Sequence, residues 1–338
     1  MAKYKSDTST QVYEFDNETS MTYTPPCNTD DINNFGKNFL PLFYSAIFTI
    51  SILGNGLVLY ILYKFENLRA ITNIFLINLV ASNLIVIFSL PFQAVYHYHE
   101  WIFGSVACKM VGGAYFLGIY SSVLFLTLIT LDRYQAVVHA VAATKRRHSC
   151  YAFTMSAIVW SVCGIASLEA FFSHDTEDDL FLGITCGKTS DSKVLGTYPQ
   201  FVIFFIFPLA VTLYCYIRIG VVVILSRMKG KHRTVKIIFV IVVLFFMCWT
   251  PYNVVLIMKE HNSGDNCDDS LIYVQYITHN IAHLYFCVNP VFYTFVGRKF
   301  QTHVRRLLVN QVPCLTSHMT IQRSKYPNNE DMRDLLMA

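Results

Sequence analysis

A cysteine and an acid–base pair stand at opposite ends of one apolar run. Cys108 begins this run, and Asp132 and Arg133 end it. As a helix, the run of about 25 residues would extend roughly 37 Å, which is enough to cross a hydrocarbon core about 30 Å thick. An aspartate and an arginine at a membrane boundary cost energy unless they pair, so they are functional candidates by default. The alternative is a helix end that charged side chains anchor at the membrane surface.

Two histidines have a spacing that can bind a metal. His279 and His283 lie one helical turn apart, but no carboxylate or cysteine nearby completes a site. The sequence therefore predicts two histidines packed in a helix bundle, and no metal. The chain also lacks the His-Glu-x-x-His and Gly-x-Ser-x-Gly patterns that an intramembrane enzyme could use. We expect neither enzymatic activity nor a cofactor.

The composition is that of a membrane protein. Of the 338 residues, 54% are hydrophobic and only 14% are charged, and the mean hydropathy is +0.42. A soluble domain carries nearer one quarter charged residues. The net charge of +4 is small, and the basic residues gather in short loops. We interpret them as topology signals and as contacts with anionic membrane lipids, and we expect no nucleic-acid partner.

Seven apolar segments are near or above the length that spans a bilayer. They cover residues 39–63, 73–97, 106–134, 151–172, 197–225, 234–258 and 271–296. Lys and Arg concentrate in alternate loops, beginning with Lys64 and Arg69, and loops of this kind stay in the cytoplasm. The sequence thus predicts an all-α, multi-pass protein of the plasma membrane with an extracellular amino terminus and a cytoplasmic carboxyl terminus.

This topology divides the chain into four parts. Residues 1–38 form an acidic extracellular tail, and residues 39–297 form a bundle of seven transmembrane helices. Residues 298–310 have apolar side chains at helical spacing among basic ones, which predicts a short amphipathic helix on the membrane surface. Residues 311–338 form a cytoplasmic tail.

The outer segments carry candidate modification and cross-linking sites. Asn17 begins a glycosylation sequon, and Tyr13 lies among acidic residues, as a sulfation acceptor does. Four cysteines lie in the outer segments, an oxidising compartment, and they allow three pairings. Their placement at the heads of the third and seventh spans favours the disulfides Cys108–Cys186 and Cys27–Cys267.

Polar residues and prolines recur inside the spans. They are Gly54-Asn55 in the first span, Asp132-Arg133-Tyr134 ending the third, Trp160 in the fourth, Cys248-Trp249-Thr250-Pro251 in the sixth, and Asn289-Pro290 with Tyr293 in the seventh. This ordered set resembles the rhodopsin-like G-protein-coupled receptors. The loop sequence Trp101-Ile102-Phe103-Gly104 and the run Asp132-Arg133-Tyr134-Gln135-Ala136-Val137 are similar to those of chemokine receptors of the CC type.

The resemblance implies a function. A chemokine would place its core on the acidic tail and the second outer loop, and would insert its amino terminus among the spans. An inhibitory-type heterotrimeric G protein would bind at the cytoplasmic side, and arrestin is a further implied partner. The positions that match the family's ligand pocket are Tyr44, Gln93, Trp101, Tyr115, Tyr252 and His279.

The resemblance also implies how activation would proceed. The sixth span would bend at Trp249 and Pro251, and the seventh would repack around its Asn-Pro-x-x-Tyr segment. Arg133 would leave Asp132 and help to admit the G protein. The positions that match the family's activation and coupling residues are Asp132, Arg133, Tyr134, Tyr216, Trp249, Pro251, Asn289, Pro290 and Tyr293.

Three residues depart from the family's pattern. Asn83 replaces an acid in the second span, so the sodium site that this acid forms with Ser122 loses its charge, although Asn83 can still hydrogen-bond to Ser122 and Asn289. His279 replaces an acid in the seventh span. Glu169 stands where the fourth span usually has proline, and we expect it to be hydrated at the membrane edge. The alternative is that Glu169 supplies the acid that the pocket lacks.

Two other interpretations stay open. A scavenger receptor would bind and internalise a chemokine without activating a G protein. The intact Asp132-Arg133-Tyr134 argues against this interpretation, whereas Asn83 and Gln135 favour it. The chain is also compatible with a virus-encoded copy of a host receptor.

Overall fold

The structure is a computed structural model of the whole chain. It describes residues 11–12, 22–23, 30–139, 149–179, 183–189, 197–225, 232–261 and 269–296. Several predicted features lie outside these residues, namely Tyr13, Asn17, the Cys27–Cys267 disulfide, the amphipathic helix at 298–310 and the tail at 311–338.

Nine α-helices account for most of the described chain. They are α1 (Asp30–Phe65), α2 (Ile71–Ile87), α3 (Leu90–Tyr98), α4 (Gly104–Val138), α5 (Ser149–Ser173), α6 (Thr197–Phe201), α7 (Phe207–Leu225), α8 (His232–His261) and α9 (Asp269–Val296). A π-helix, Val202–Ile206, joins α6 to α7. Six stretches within these helices are long and apolar enough to cross a membrane, and α9 is a further helix that packs against α1 and α8. The predicted seven-helix bundle is confirmed.

The second span is broken where the sequence has proline. α2 ends at Ile87, and α3 begins at Leu90 with Pro91 in its first turn. Proline has no N–H to donate and its ring displaces the preceding turn, so the helix interrupts here. The Val86 carbonyl at the break accepts from the Ser89 hydroxyl over 2.6 Å and from the Ser89 N–H over 3.0 Å.

Two β-hairpins were not predicted. Gln11–Val12 (β1) pairs with Thr22–Tyr23 (β2), and His174–Asp179 (β3) pairs antiparallel with Gly183–Lys188 (β4). In the second hairpin Gly183 adopts a positive φ of 70°, which glycine tolerates because it has no Cβ. The backbone N–H of Ile184 donates to the Glu100 carboxylate over 2.9 Å. These contacts hold the hairpin against the loop before α4.

The core is built around α4, which contacts α2, α5, α7 and α8. α2 and α4 approach closely because Gly118 lies between them. A Cβ added at Gly118 would stand 2.5 Å from Val86 Cγ2 and 2.8 Å from the Ser82 carbonyl oxygen. Small residues at such crossings let two helices pack through their backbones.

We therefore expect Gly118→Ala to destabilise the protein by about 1–3 kcal/mol, because the added methyl overpacks a crossing whose nearest oxygen belongs to the backbone. Thermal unfolding of the purified protein measures this loss. Gly164→Ala in α5 is the matched control, since nothing lies within 4 Å of its added methyl. Equal melting temperatures for the two variants would contradict the close-packing argument.

Candidate functional site

The bundle has two functional ends, which we name by their residues. The disulfide end carries the predicted Cys108–Cys186 bond, which is present and joins the first turn of α4 to β4 with a Cα–Cα distance of 5.8 Å. The Arg133 end carries the last turns of α4 and the first turn of α2. Cys27 and Cys267 lie outside the described residues, so their pairing stays a prediction.

A second anchor fixes the β3–β4 hairpin beside the disulfide. The Asp175 carboxylate accepts from the Ser105 hydroxyl over 2.5 Å and from the Thr176 N–H over 2.8 Å, and it lies 3.1 Å from the Lys109 ammonium. These partners, with the Ser105 hydroxyl first, lower the pKa of Asp175 to about 2. Asp175 therefore keeps its charge at every physiological pH, and the hairpin stays anchored to α4.

Trp101 also supports the hairpin, and it does not line the cavity described below. Its backbone N–H donates to the Ile184 carbonyl over 2.8 Å, and its indole N–H donates to the Gly104 carbonyl over 2.9 Å. The side chain is buried against the rings of Phe92 and Phe103. Sequence analysis assigned Trp101 to ligand binding. In the structure its backbone bonds to the hairpin, and its side chain packs against Phe92 and Phe103.

A cavity of about 160 Å³ lies among α4, α6, the π-helix and α8. Most of its wall is aromatic, and its polar groups come from Tyr115, Tyr120, Lys188, Gln200, Tyr252 and Asn253. An apolar wall with a few polar groups that converge on it is the usual form of a ligand site. The disulfide-linked hairpin contributes Lys188, so the cavity lies towards the disulfide end.

The predicted ligand residues divide into two groups. Tyr115 and Tyr252 line the cavity, and the Tyr115 hydroxyl lies 2.9 Å from His279 Nε2. His279 also lies beside the Tyr252 ring, with 5.0 Å between ring centroids. Tyr44 and Gln93 are not among the lining residues. Tyr44 lies beside His283, with 5.6 Å between ring centroids, and His283 lies beside His279 at 4.6 Å.

The cavity ends at Trp249, which touches aromatic rings from two helices. Its ring centroid lies 6.0 Å from that of Phe245 and 6.2 Å from that of Phe286. Pro251 follows within α8 and removes one backbone N–H, while the Asn253 amide donates to the Trp249 carbonyl over 2.9 Å. A ligand in the cavity would therefore contact the residue next to a weakened turn of α8.

A buried polar pair joins α2 to α4. The Ser122 hydroxyl donates to Asn83 Oδ1 over 2.9 Å, and both residues are fully buried. Asn289 is also buried, but neither its oxygen nor its nitrogen has a hydrogen-bond partner, and the Asn83 nitrogen has none either. The expected bond to Ser122 is present, whereas the expected bond between Asn83 and Asn289 is not formed.

The Arg133 end is closed by three side chains. The Asp132 carboxylate lies 2.9 Å from the Arg133 guanidinium and accepts from the Thr72 hydroxyl over 2.7 Å. Arg133 also contacts the Thr72 hydroxyl. Asp132 is only 7% exposed, so its partners offset the cost of burying a carboxylate. Arg133 is thereby held on Asp132, and α4 is held on α2.

Three further residues that sequence analysis assigned to activation or coupling pack against neighbouring helices. Tyr134 packs against Tyr214, with 6.0 Å between ring centroids, and Tyr216 packs against Phe239 at 4.9 Å. Pro290 faces Gly54, whose added Cβ would lie 2.9 Å from the proline Cβ. Tyr293 lies in α9, and its side chain is outside the described residues.

Comparison with known proteins decides the family. Residues 54–293 match the model of the 7 transmembrane receptor (rhodopsin family). The chain is 34% identical to the C-C chemokine receptor type 3 of Cavia porcellus, over 96% of this chain and 92% of that protein. It is 36% identical to the C-C chemokine receptor type 4 of Homo sapiens, over 83% of this chain and 81% of that protein. The chain belongs to the chemokine receptors of the rhodopsin family.

As a member of this family, the receptor is a multi-pass membrane protein. Two of the residues that differ from the family's pattern are His279 and Glu169. His279, which the resemblance places where the family has an acid, is hydrogen-bonded to Tyr115. The rings of His279 and His283 are perpendicular, with centroids 4.6 Å apart. No third histidine, cysteine or carboxylate joins them in a metal-binding group within the described part of the receptor.

The expectation that Glu169 is hydrated is wrong. Glu169 is only 8% exposed. One carboxylate oxygen lies 3.2 Å from the Lys188 ammonium, and the other accepts from the Gln200 amide. Burial is tolerated because both oxygens have partners, one of which carries the opposite charge.

Sequence analysis missed four residues of the receptor's polar clusters. Thr72 was overlooked, although its place at the start of the second span puts it at the same membrane boundary as Asp132. Lys188 and Gln200 were overlooked because their partner, Glu169, lies in another segment, and Tyr120 was overlooked because it reaches this group through Gln200. No local spacing connects residues that meet only after the helices assemble.

Proposed function

We propose that the chain is a plasma-membrane receptor that binds a chemokine at its disulfide end and activates an inhibitory-type heterotrimeric G protein at its Arg133 end. The disulfide end would face outwards, where disulfides are stable. The loop between α1 and α2 lies at the opposite end and carries Lys64 and Arg69 at its borders, which is typical of a cytoplasmic loop.

The disulfide end suits a basic protein ligand. β3 carries Asp175, Glu177 and Asp178, and the sequence of the amino-terminal tail is acidic as well. Such a surface would attract the ligand and orient it. The ligand's flexible amino terminus would then enter the cavity, contact Tyr115 and Tyr252, and reach Trp249.

The cluster of Thr72, Asp132 and Arg133 is the observation that supports G-protein activation. The arginine is present and paired, as a switch that can be released requires. In the proposed mechanism the chemokine binds better to the state in which Arg133 has left Asp132. The change in population is then limited by that difference in affinity.

A panel of CC chemokines tests the proposal. Cells that express the chain should bind at least one member of the panel and should then lower their cyclic AMP through an inhibitory G protein, whereas untransfected cells should do neither. Binding and uptake without any G-protein activation would support the scavenger interpretation instead. Failure of every chemokine to bind at normal surface expression would contradict both. Cellular or viral origin has no bearing on these outcomes.

A further inference from the structure

One charge pair lies beside the cavity: Lys188 lines it, and Glu169 lies behind Lys188. The Lys188 ammonium lies 3.2 Å from Glu169 Oε1, and the Lys188 side chain is 42% exposed while that of Glu169 is 6% exposed. Lys188 is the only charged residue among the described residues that line the cavity. The carboxylate therefore stands directly behind a cation that the cavity can reach.

The Glu169 carboxylate is held in place from its other side. Its Oε2 accepts from the Gln200 amide, and the Gln200 oxygen accepts from the Tyr120 hydroxyl over 2.9 Å. The Tyr120 ring stacks on Phe204, with 3.9 Å between centroids. These contacts tie three elements, α4, α5 and α6, around Oε2, so Oε1 is left with a fixed position and one exchangeable partner.

We infer that Glu169 is the anionic subsite of the cavity and that it binds a ligand's ammonium or guanidinium group, which takes the place of Lys188. Lys188 lies at the end of the hairpin, two residues after Cys186, and can withdraw towards solvent because nearly half of its side chain is already exposed. The buried carboxylate cannot withdraw, so it needs a cation in either state.

This inference deepens the proposed function and rests on it where the ligand is a chemokine. None of the described residues that line the cavity carries a carboxylate, so a cation that enters the cavity needs a partner behind the lining. Glu169 gives that cation a partner in the fourth span. The cation can come from the ligand's terminal ammonium or from a Lys or Arg side chain, since both satisfy a carboxylate.

A small probe tests the subsite without any chemokine. Phenylbutylamine is protonated at neutral pH, and phenylbutanol is its uncharged counterpart of similar shape. Binding of each to the purified full chain is measured by the concentration that gives a half-maximal rise in melting temperature. Glu169→Gln should weaken binding of the amine about tenfold, the effect of losing one charge-assisted hydrogen bond, and should leave binding of the alcohol unchanged.

Lys188→Gln separates this inference from a purely structural role of the pair. If Lys188 competes with the ligand, its removal should tighten amine binding by roughly two- to fivefold, the value of a partly exposed ion pair. If the pair only holds the hairpin in place, the same variant should weaken amine and alcohol alike. Unchanged or weaker amine binding in Lys188→Gln overturns the inference, even if Glu169→Gln fails to fold.

A comparison of modified chemokines identifies the group that supplies the cation. The chemokine that is active in the panel is compared with its amino-terminally acetylated form and with a form whose amino-terminal Lys and Arg residues are replaced by Gln. One of the modified chemokines should bind with the same affinity to the unmodified receptor and to Glu169→Gln. The group that this modification removes is the group that Glu169 binds. A chemokine that binds and signals equally well through both receptors overturns the inference and leaves the proposed function intact. Amine binding as expected with no active chemokine supports the inference and contradicts the proposed function.

Discussion

Asp132→Asn should raise ligand-independent G-protein activation about tenfold at equal surface expression. The substitution removes the negative charge that holds Arg133 but keeps an oxygen that can accept from the Thr72 hydroxyl. A hydrogen bond to a charged group contributes about 1.5–3 kcal/mol, and a change of 1.4 kcal/mol alters a population ratio tenfold. Because the active state of such a switch is a minor population at rest, the increase would be visible in a basal cyclic AMP assay.

Two further variants show whether the effect comes from this cluster. Thr72→Val removes the hydroxyl that contacts both charged side chains, so it should raise basal activation in the same direction by a smaller factor. Arg133→Ala should abolish activation while chemokine binding at the other end of the bundle persists. Basal activation that stays at the unmodified level in Asp132→Asn would show that the Asp132–Arg133 pair does not restrain the inactive state.

The helices of this receptor were predictable because each depends on a local property of the sequence. The predicted third span, 106–134, became Gly104–Val138, and the predicted fourth, 151–172, became Ser149–Ser173. An apolar run of spanning length has few alternatives in a membrane, since every backbone polar group must be satisfied internally. The Asp132–Arg133 contact was predictable for a similar reason, because the two charges are adjacent.

The surroundings of Glu169 were not predictable from local pattern. Its partners lie 19 and 31 residues away, in a hairpin and in the next helical segment. That hairpin is polar, and residues 174–179 are mostly acidic, so neither hydropathy nor alternation indicated a strand. Judged alone, a glutamate near a helix end is expected to reach water. The assembled bundle instead gives it one cation and one amide, and both come from elements that sequence analysis treated separately.

The second large effect should come from Asn83, where the family's sodium site has an acid. A carboxylate at this depth binds the ion chiefly by charge, and two unit charges 4 Å apart interact by about 4 kcal/mol at an effective dielectric constant of 20. Asn83 has no net charge, and its oxygen already accepts from Ser122. The unpartnered nitrogens of Asn83 and Asn289 are donors, and the unpartnered Asn289 oxygen is a neutral acceptor. One neutral oxygen would replace little of the water that a sodium ion must give up.

Agonist affinity should therefore be nearly independent of sodium in the unmodified receptor, and Asn83→Asp should make it fall about tenfold when sodium is added. The ion would then stabilise the inactive packing of α2, α4 and α9, and agonist would bind against that preference. The measurement is agonist binding in sodium chloride and in choline chloride at equal ionic strength. Both salts then screen the charges on the receptor's acidic disulfide end equally.

Ser122→Ala provides the control within the Asn83→Asp background. The serine hydroxyl is the second oxygen of the proposed ion site, so its removal should weaken the restored sodium effect. A new charge that merely perturbed the bundle would be insensitive to it. The unmodified receptor provides the stricter test, because two buried amides and one hydroxyl are not expected to hold the ion. A tenfold sodium effect on its agonist affinity would refute that expectation, whatever Asn83→Asp then did.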